Sequence, residues 1–236
     1  VPYSNRIADA AFRWGDQQIR LRRNRADEDH ALHGTGWTRP WQVTDLSADT
    51  VLLALRHDGD QDWPWAFAAS QTIRLTPDSL QIDLTVTNRE PMPVPLASGY
   101  HPYFSADGAR IQLSADRVWL ADERNLPRHA HRPAGLHDLG HGRAFQGLSL
   151  DNCYQGVCWP ATVAWPSRGL AVEVTASPGW DHAVVYANAA TRSLCIEPVA
   201  HVSNALGDPE MAQNFPVVGP GESASHSMSI RIVQHA

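Results

Sequence analysis

Ser79-Leu80-Gln81-Ile82-Asp83-Leu84-Thr85-Val86-Thr87-Asn88 is the stretch that decides the fold. Leu80, Ile82, Leu84 and Val86 face one way, and Gln81, Asp83, Thr85 and Thr87 face the other. That period of two is the mark of a strand with one buried face. The residues just before it, 66–75, pair naturally with it through Thr76-Pro77-Asp78, giving a hairpin. Outward from this hairpin the same texture recurs. Residues 12–14 and 18–22 read as strands around Gly15-Asp16, and residues 41–46 and 50–57 form a further pair. Later come 109–113, 117–120, 161–165, 170–175, 182–187 and 194–196, and a closing strand over 227–233 with Met228, Ile230 and Ile232 on one face.

The punctuation is equally regular. Pro91, Pro93 and Pro95 resist central-strand pairing. Residues 121–142, rich in His, Arg, Pro and Gly without periodicity, read as a long surface loop. Asp151-Asn152-Cys153-Tyr154 reads as a loop, and residues 203–214 as a short helical turn. Many short strands and no long helix predict an all-β chain, an antiparallel sandwich or barrel, folded as a single domain over residues 1–236.

Composition narrows the function. A chain of 236 residues, 43% of them hydrophobic, is large enough for one all-β core. The formal charge of -6 argues against a nucleic-acid partner, which normally leaves a basic patch. The basic run Arg20-Leu21-Arg22-Arg23-Asn24-Arg25 is followed by Asp27-Glu28-Asp29 and reads as solvated charge. Cys153, Cys158 and Cys195 are odd in number and lack metal-ligand spacing, which predicts free thiols in a reducing, cytoplasmic setting. No apolar run nears the roughly 18 residues of a membrane span. The chain opens at Val1 rather than at a methionine, so the sequence leaves an upstream targeting segment open.

The chemistry-bearing residues are scattered. Leu96-Ala97-Ser98-Gly99-Tyr100-His101-Pro102-Tyr103-Phe104 sets a histidine between a glycine and two aromatics, and the distant Cys195-Ile196-Glu197-Pro198 offers a carboxylate partner. Asn5, Arg6, His33 and Asp151 complete the polar candidates. A histidine beside aromatics is more often packed than catalytic, Arg6 could anchor its segment by an ion pair, and Asp151-Asn152 is ordinary turn chemistry. The histidines of the 121–142 segment (His129, His131, His137, His141) lack the carboxylate or thiolate companions of a metal site.

Taken in order, these segments resemble the aldose 1-epimerases (mutarotases) with their galactose mutarotase-like β-sandwich. Ser4-Asn5-Arg6-Ile7 is similar to the family's Asn-Arg-Ile element, and Leu32-His33-Gly34 to its His-Gly loop. Gly99-Tyr100-His101-Pro102-Tyr103-Phe104 resembles the catalytic-histidine element, and Asp151-Asn152-Cys153-Tyr154 the substrate-binding aspartate segment. Cys195-Ile196-Glu197-Pro198 resembles the catalytic-glutamate strand, and Pro216 through Pro220-Gly221-Glu222 the closing Pro-Gly turn. One departure is that family members carry further N-terminal strands before the Asn-Arg-Ile element. The chain thus reads as a short form or a fragment, with exposed backbone and apolar surface expected where those strands would pair.

The resemblance implies interconversion of the α and β anomers of a free hexose, with Glu197 as base and His101 as acid. It further implies that Arg6, His33 and Asp151 hold the sugar hydroxyls, with Asn5 nearby, and that no metal or other cofactor is needed. Trp37, close in sequence to His33, is the preferred stacking platform. The implied partner is a small sugar, with no nucleic acid or membrane involved; the sequence does not specify an oligomeric state. Two other readings stand beside this one. A hexose 6-phosphate epimerase would need added basic residues, for which Arg39 or Arg124 could serve. A carbohydrate-binding or regulatory protein would keep the pocket without turnover.

Overall fold

The computed structural model describes residues 1–234. The chain gathers into two compact units, one formed by Val1–Ile73, Asp83–Gly99 and Ala200–His226, the other by Arg74–Ile82, Tyr100–Val199 and the segment from Ser227 onward. The deciding strand is present over Ser79–Asn88, preceded by Phe67–Leu75. Its alternation holds where it matters most, with Leu84 and Val86 in the core. The strand pairs are antiparallel, and the architecture is the all-β sandwich expected.

The unit centred on Tyr100–Val199 is a sandwich in its own right. One sheet runs in the order Tyr103–Ser105, Ser193–Val199, His182–Asn188, Ser149–Gln155, Arg117–Ala121, Pro127–His131. Facing it are Arg143–Ala144, Arg110–Ser114, Cys158–Trp165, Leu170–Ala176 and the last part of Ser223–Gln234. Ile111, Val163 and Val172 from this second sheet share one core with Leu150, Val185 and Ile196 from the first. Side chains stand alternately on the two faces of a strand. Leu194 and Ile196 therefore fill the core while Ser193, Cys195 and Glu197 point to the opposite face.

In the other unit, Gln42–Leu46, Thr50–His57 and Phe67–Leu75 lie side by side. The hairpin Ala11–Trp14 with Gln17–Arg20 turns at Gly15, whose φ is +56°. Tyr3, Phe12, Trp63, Trp65 and Phe67 form an aromatic core, with Phe12 stacked on Trp63 at 5.7 Å between ring centroids. Most of the tryptophan content is thus structural here, as expected for large apolar rings.

Two local expectations are corrected. Residues 121–142 are not a featureless loop. Pro127–His131 pairs with Arg117–Ala121 through a turn in which the Asp122 carboxylate accepts from the backbone N–H groups of Arg124 and Leu126. Its sequence lacks apolar alternation because it is an edge strand, largely exposed. The triple-proline stretch enters no central strand, as expected; it contributes only Val94–Pro95, paired with Val217–Val218 in a two-stranded sheet. Asp151-Asn152-Cys153-Tyr154 lies inside the strand Ser149–Gln155, not in a loop. A central strand is flanked on both sides by paired backbone, so tertiary pairing overrides the turn preference of Asp-Asn. The predicted helical turn within 203–214 is present as Ala205–Gly207 and Pro209–Ala212, the latter capped by Asp208. No helix among the described residues is long and apolar enough to cross a membrane.

Candidate active site

His101 and Glu197 meet because of strand register. Tyr103 lies opposite Cys195, Phe104 opposite Leu194 and Ser105 opposite Ser193. Carried two residues back, the same register sets His101 opposite Glu197, and the Tyr100 N–H donates to the Pro198 carbonyl at 2.9 Å to hold it there. Directly opposed side chains on one face of an antiparallel pair come within interaction range. The result is a 3.3 Å contact between His101 Nε2 and Glu197 Oε1. Glu197 is 2% exposed, whereas the His101 side chain is 32% exposed. One partner is sealed in and the other reaches solvent.

The neighbouring strands extend this face. Asp151 lies opposite Tyr186, which lies opposite Cys195. The row Asp151, Tyr186, Cys195, Tyr103 therefore crosses the sheet beside the row containing Glu197 and His101. Tyr103 stacks on the His101 ring at 4.9 Å and 17° and hydrogen-bonds the Cys195 thiol. Burial pushes His101 below the ordinary histidine range, and the charge of Asp151 pulls it part of the way back. Burial also pushes the Cys195 thiol up, reinforced by the Glu197 carboxylate. An acid and a base in contact, beside aromatic and hydroxyl groups, can move a proton on and off two oxygens of one small polar molecule.

Asn5, Arg6 and His33 are brought together separately, in the unit containing the N-terminal segment. Arg6–Ile7 pairs with Ala31–Leu32, which sets Asn5 beside His33. The Asn5 N–H donates to His33 Nδ1 at 3.1 Å, and the His33 N–H donates to the Asn5 carbonyl at 2.9 Å. With Nδ1 accepting, the neutral ring carries its proton on Nε2. Asn5 Oδ1 accepts from the Arg6 N–H, and Arg6 Nη2 pairs with Glu28 at 3.0 Å. The anchoring ion pair weighed for Arg6 is therefore present.

Both Asn5 (φ 58°) and His33 (φ 54°) are left-handed. Asparagine and histidine tolerate this region better than most residues. Gly34 follows, and a Cβ there would sit 2.5 Å from the Val1 carbonyl oxygen. Glycine is thus required for this close backbone approach. Trp37 is edge-on to His33 at 5.9 Å and 49% exposed, with its indole N–H donating to the Leu32 and Gly34 carbonyls.

Several residues of these clusters escaped the sequence reading. Tyr103, Tyr186 and Cys195 were invisible as site residues until the register aligned them, although Tyr103 and Cys195 each stand two positions from a candidate. His201 is buried and accepts from the Ser4 N–H at 3.1 Å, locking the segment that carries Asn5 and Arg6. No local sequence signal marks it.

The model of the aldose 1-epimerase family matches residues 1–231. The chain belongs to the aldose 1-epimerase family. The uncharacterized protein YphB of Escherichia coli K12 is 28% identical over 242 residues, covering 98% of this chain and 82% of its own. An aldose 1-epimerase of Haemophilus influenzae is 30% identical over 138 residues, covering 53% of this chain and 39% of its own. A solved Escherichia coli K12 structure, itself assigned to the aldose 1-epimerases only provisionally, superposes with a TM-score of 0.90 at 27% identity, over 99% of this chain and 82% of that one. The galactose 1-epimerase of Lactobacillus acidophilus, at 16% identity and a TM-score of 0.80 over 100% of this chain and 79% of its own, shares the fold.

Proposed function

We propose that this protein is an aldose 1-epimerase acting on a free hexose, with Glu197 as base and His101 as acid. The 3.3 Å contact between a buried carboxylate and a half-exposed imidazole carries the reading. Glu197 takes the proton from the anomeric hydroxyl as the carbonyl forms. His101 gives its proton to the ring oxygen as the bond from that oxygen to the anomeric carbon breaks. Rotation about the bond between the first two carbons turns the other carbonyl face to the oxygen. Reclosure returns one proton to His101 and takes one from Glu197. The pair as a whole neither gains nor loses a proton, so a full cycle needs no exchange with solvent.

Asp151, on the same sheet face, would accept hydrogen bonds from sugar hydroxyls. Asn5, Arg6 and His33 keep the hydroxyl-binding role that family membership suggests for them. A site built on such bonds discriminates against sugars that lack the matching hydroxyl. The phosphorylated-substrate alternative loses support at Arg39, which is already paired with Asp60 and Asp62. A binding-only protein would have no need of an acid and a base in contact.

The test is polarimetry on freshly dissolved α-D-glucose and α-D-galactose. Relaxation faster than the buffer control and lost in Glu197→Gln is the expected result. A folded protein that binds sugar but leaves the relaxation unchanged would refute the reading in favour of the binding-only alternative.

A further inference from the structure

The acid–base pair has a third neighbour that mutarotation does not use. Cys195 stands two residues before Glu197 on the same strand and therefore on the same face. One ligand atom from each of His101, Cys195 and Glu197 lies within 4.8 Å of the other two. These are an imidazole nitrogen, a sulfur and a carboxylate oxygen. We propose that His101, Cys195 and Glu197 form a binding site for Zn²⁺ with an open fourth position, so that zinc and sugar exclude one another.

The donor set selects the metal. Thiolate and imidazole suit zinc, while magnesium and calcium favour oxygen cages. Zinc accepts Cys, His and carboxylate ligands at about 2.0–2.3 Å in a tetrahedron, which places neighbouring ligand atoms about 3.3–3.8 Å apart. The His101–Glu197 separation of 3.3 Å already meets this. The sulfur needs a shift of up to about 1.3 Å to close the triangle. Two ligands come from one strand, and the third lies two residues before the paired strand Tyr103–Ser105, on a segment held by the hydrogen bond from the Tyr100 N–H to the Pro198 carbonyl. Tyr103, hydrogen-bonded to the thiol and stacked on the imidazole, orients both ligands from outside. Three protein ligands leave the fourth position to water, on the side where His101 reaches solvent. Binding deprotonates the Cys195 thiol: the sulfur–hydrogen bond breaks, a sulfur–zinc bond forms, and the proton passes to buffer.

The metal site rests on geometry alone; only its inhibitory consequence rests on the epimerase reading. The experiment titrates the intact protein with ZnCl₂ by calorimetry and with CoCl₂ by absorption spectroscopy. One equivalent of Zn²⁺ should bind in the micromolar range or tighter, with an observed enthalpy that varies linearly with buffer ionisation enthalpy, the slope giving the protons released. Co²⁺ should give a near-ultraviolet thiolate charge-transfer band together with the visible bands of a tetrahedral ion. Cys195→Ser should abolish the charge-transfer band and weaken Zn²⁺ at least tenfold. His101→Ala, altering a half-exposed side chain, should do the same if the serine variant fails to fold. The double variant His129→Ala/His131→Ala should keep the band.

Binding no tighter than millimolar, or a metal signal indifferent to Cys195 and His101, overturns the proposal. Zn²⁺ should also slow mutarotation, and EDTA should restore it. A Cys195-dependent metal band in a protein that never accelerates mutarotation keeps the metal site and removes the epimerase reading. Mutarotation unaffected by saturating Zn²⁺ removes the exclusion.

Discussion

The two polar clusters are built in opposite ways. Glu197 stands on the strand Ser193–Val199 and His101 two residues before its partner strand Tyr103–Ser105, both placed by hydrogen-bonded register beside an apolar core. Asn5 and His33 stand on left-handed turns, held by one backbone hydrogen bond and one from the Asn5 N–H to the His33 imidazole, and by a glycine that admits a neighbouring backbone. The contrast fits the two tasks proposed for them. Proton transfer depends on sub-ångström placement, which extended, mutually braced strands supply. Hydroxyl recognition tolerates more variation, and loops supply it more readily.

The sharpest way to break this comparison is Glu197→Gln. Its predicted effect is a fall in kcat of about 10³–10⁴-fold with a native circular dichroism spectrum, near the upper range for a positioned acid or base. His101→Asn should lower kcat by about 10²–10³-fold, with KM changed little. Polarimetry on both variants checks the assignment, and a loss confined to KM would move the pair from proton transfer to binding.

The other face of the same strand should answer to stability instead. Ile196, fully buried between Cys195 and Glu197 in sequence, should cost about 2–5 kcal/mol when changed to alanine. Urea denaturation would read that loss. The residual folded protein should retain its kcat.

The pH profile provides a further test. His101 must be protonated to act as acid, and burial holds its pKa below the ordinary value of about 6.5. Activity should therefore fall as pH rises, with the alkaline limb of kcat/KM centred below about 6.5 and approaching a tenfold loss per unit. A limb near or above pH 7 would contradict the burial effect. The smallest effect belongs to the loop cluster. His33→Gly removes the imidazole while keeping the left-handed backbone accessible. It should raise KM for the sugar about tenfold with kcat nearly intact, as expected for lost uniform binding.

Much of this was legible in the sequence, for identifiable reasons. Alternation in Ser79–Asn88 is a local property, so the strand was visible at once. Pairing is not local. The strand character of Asp151–Tyr154 depends on Tyr186 and Ala183 lying opposite, about thirty residues away, and the edge strand Pro127–His131 has no apolar stripe to announce it. His101 and Glu197 stand out in the sequence as candidates, but their assignment as acid and base came with the family resemblance, since neither residue carries a local mark of its role. Cys195 was passed over because metal spacing was sought along the chain, whereas its companions are one i+2 neighbour and one residue across the sheet. His201 was missed because a buried histidine serving one backbone N–H leaves no pattern at all.

The register of the Ser193–Val199 strand has a consequence for how this sequence can vary. Cys195 and Glu197 face the proposed site, while Leu194 and Ile196 fill the core. A single inserted residue would turn Glu197 inward and Ile196 outward together, exchanging every side chain between the faces. Length changes here are therefore subject to parity. The strand can gain or lose residues in twos, or absorb an odd one in a bulge beyond its paired span, but an odd change within it erases site and core at a stroke. Any relative of this chain with a working acid–base pair should obey that rule, whatever its loops have become.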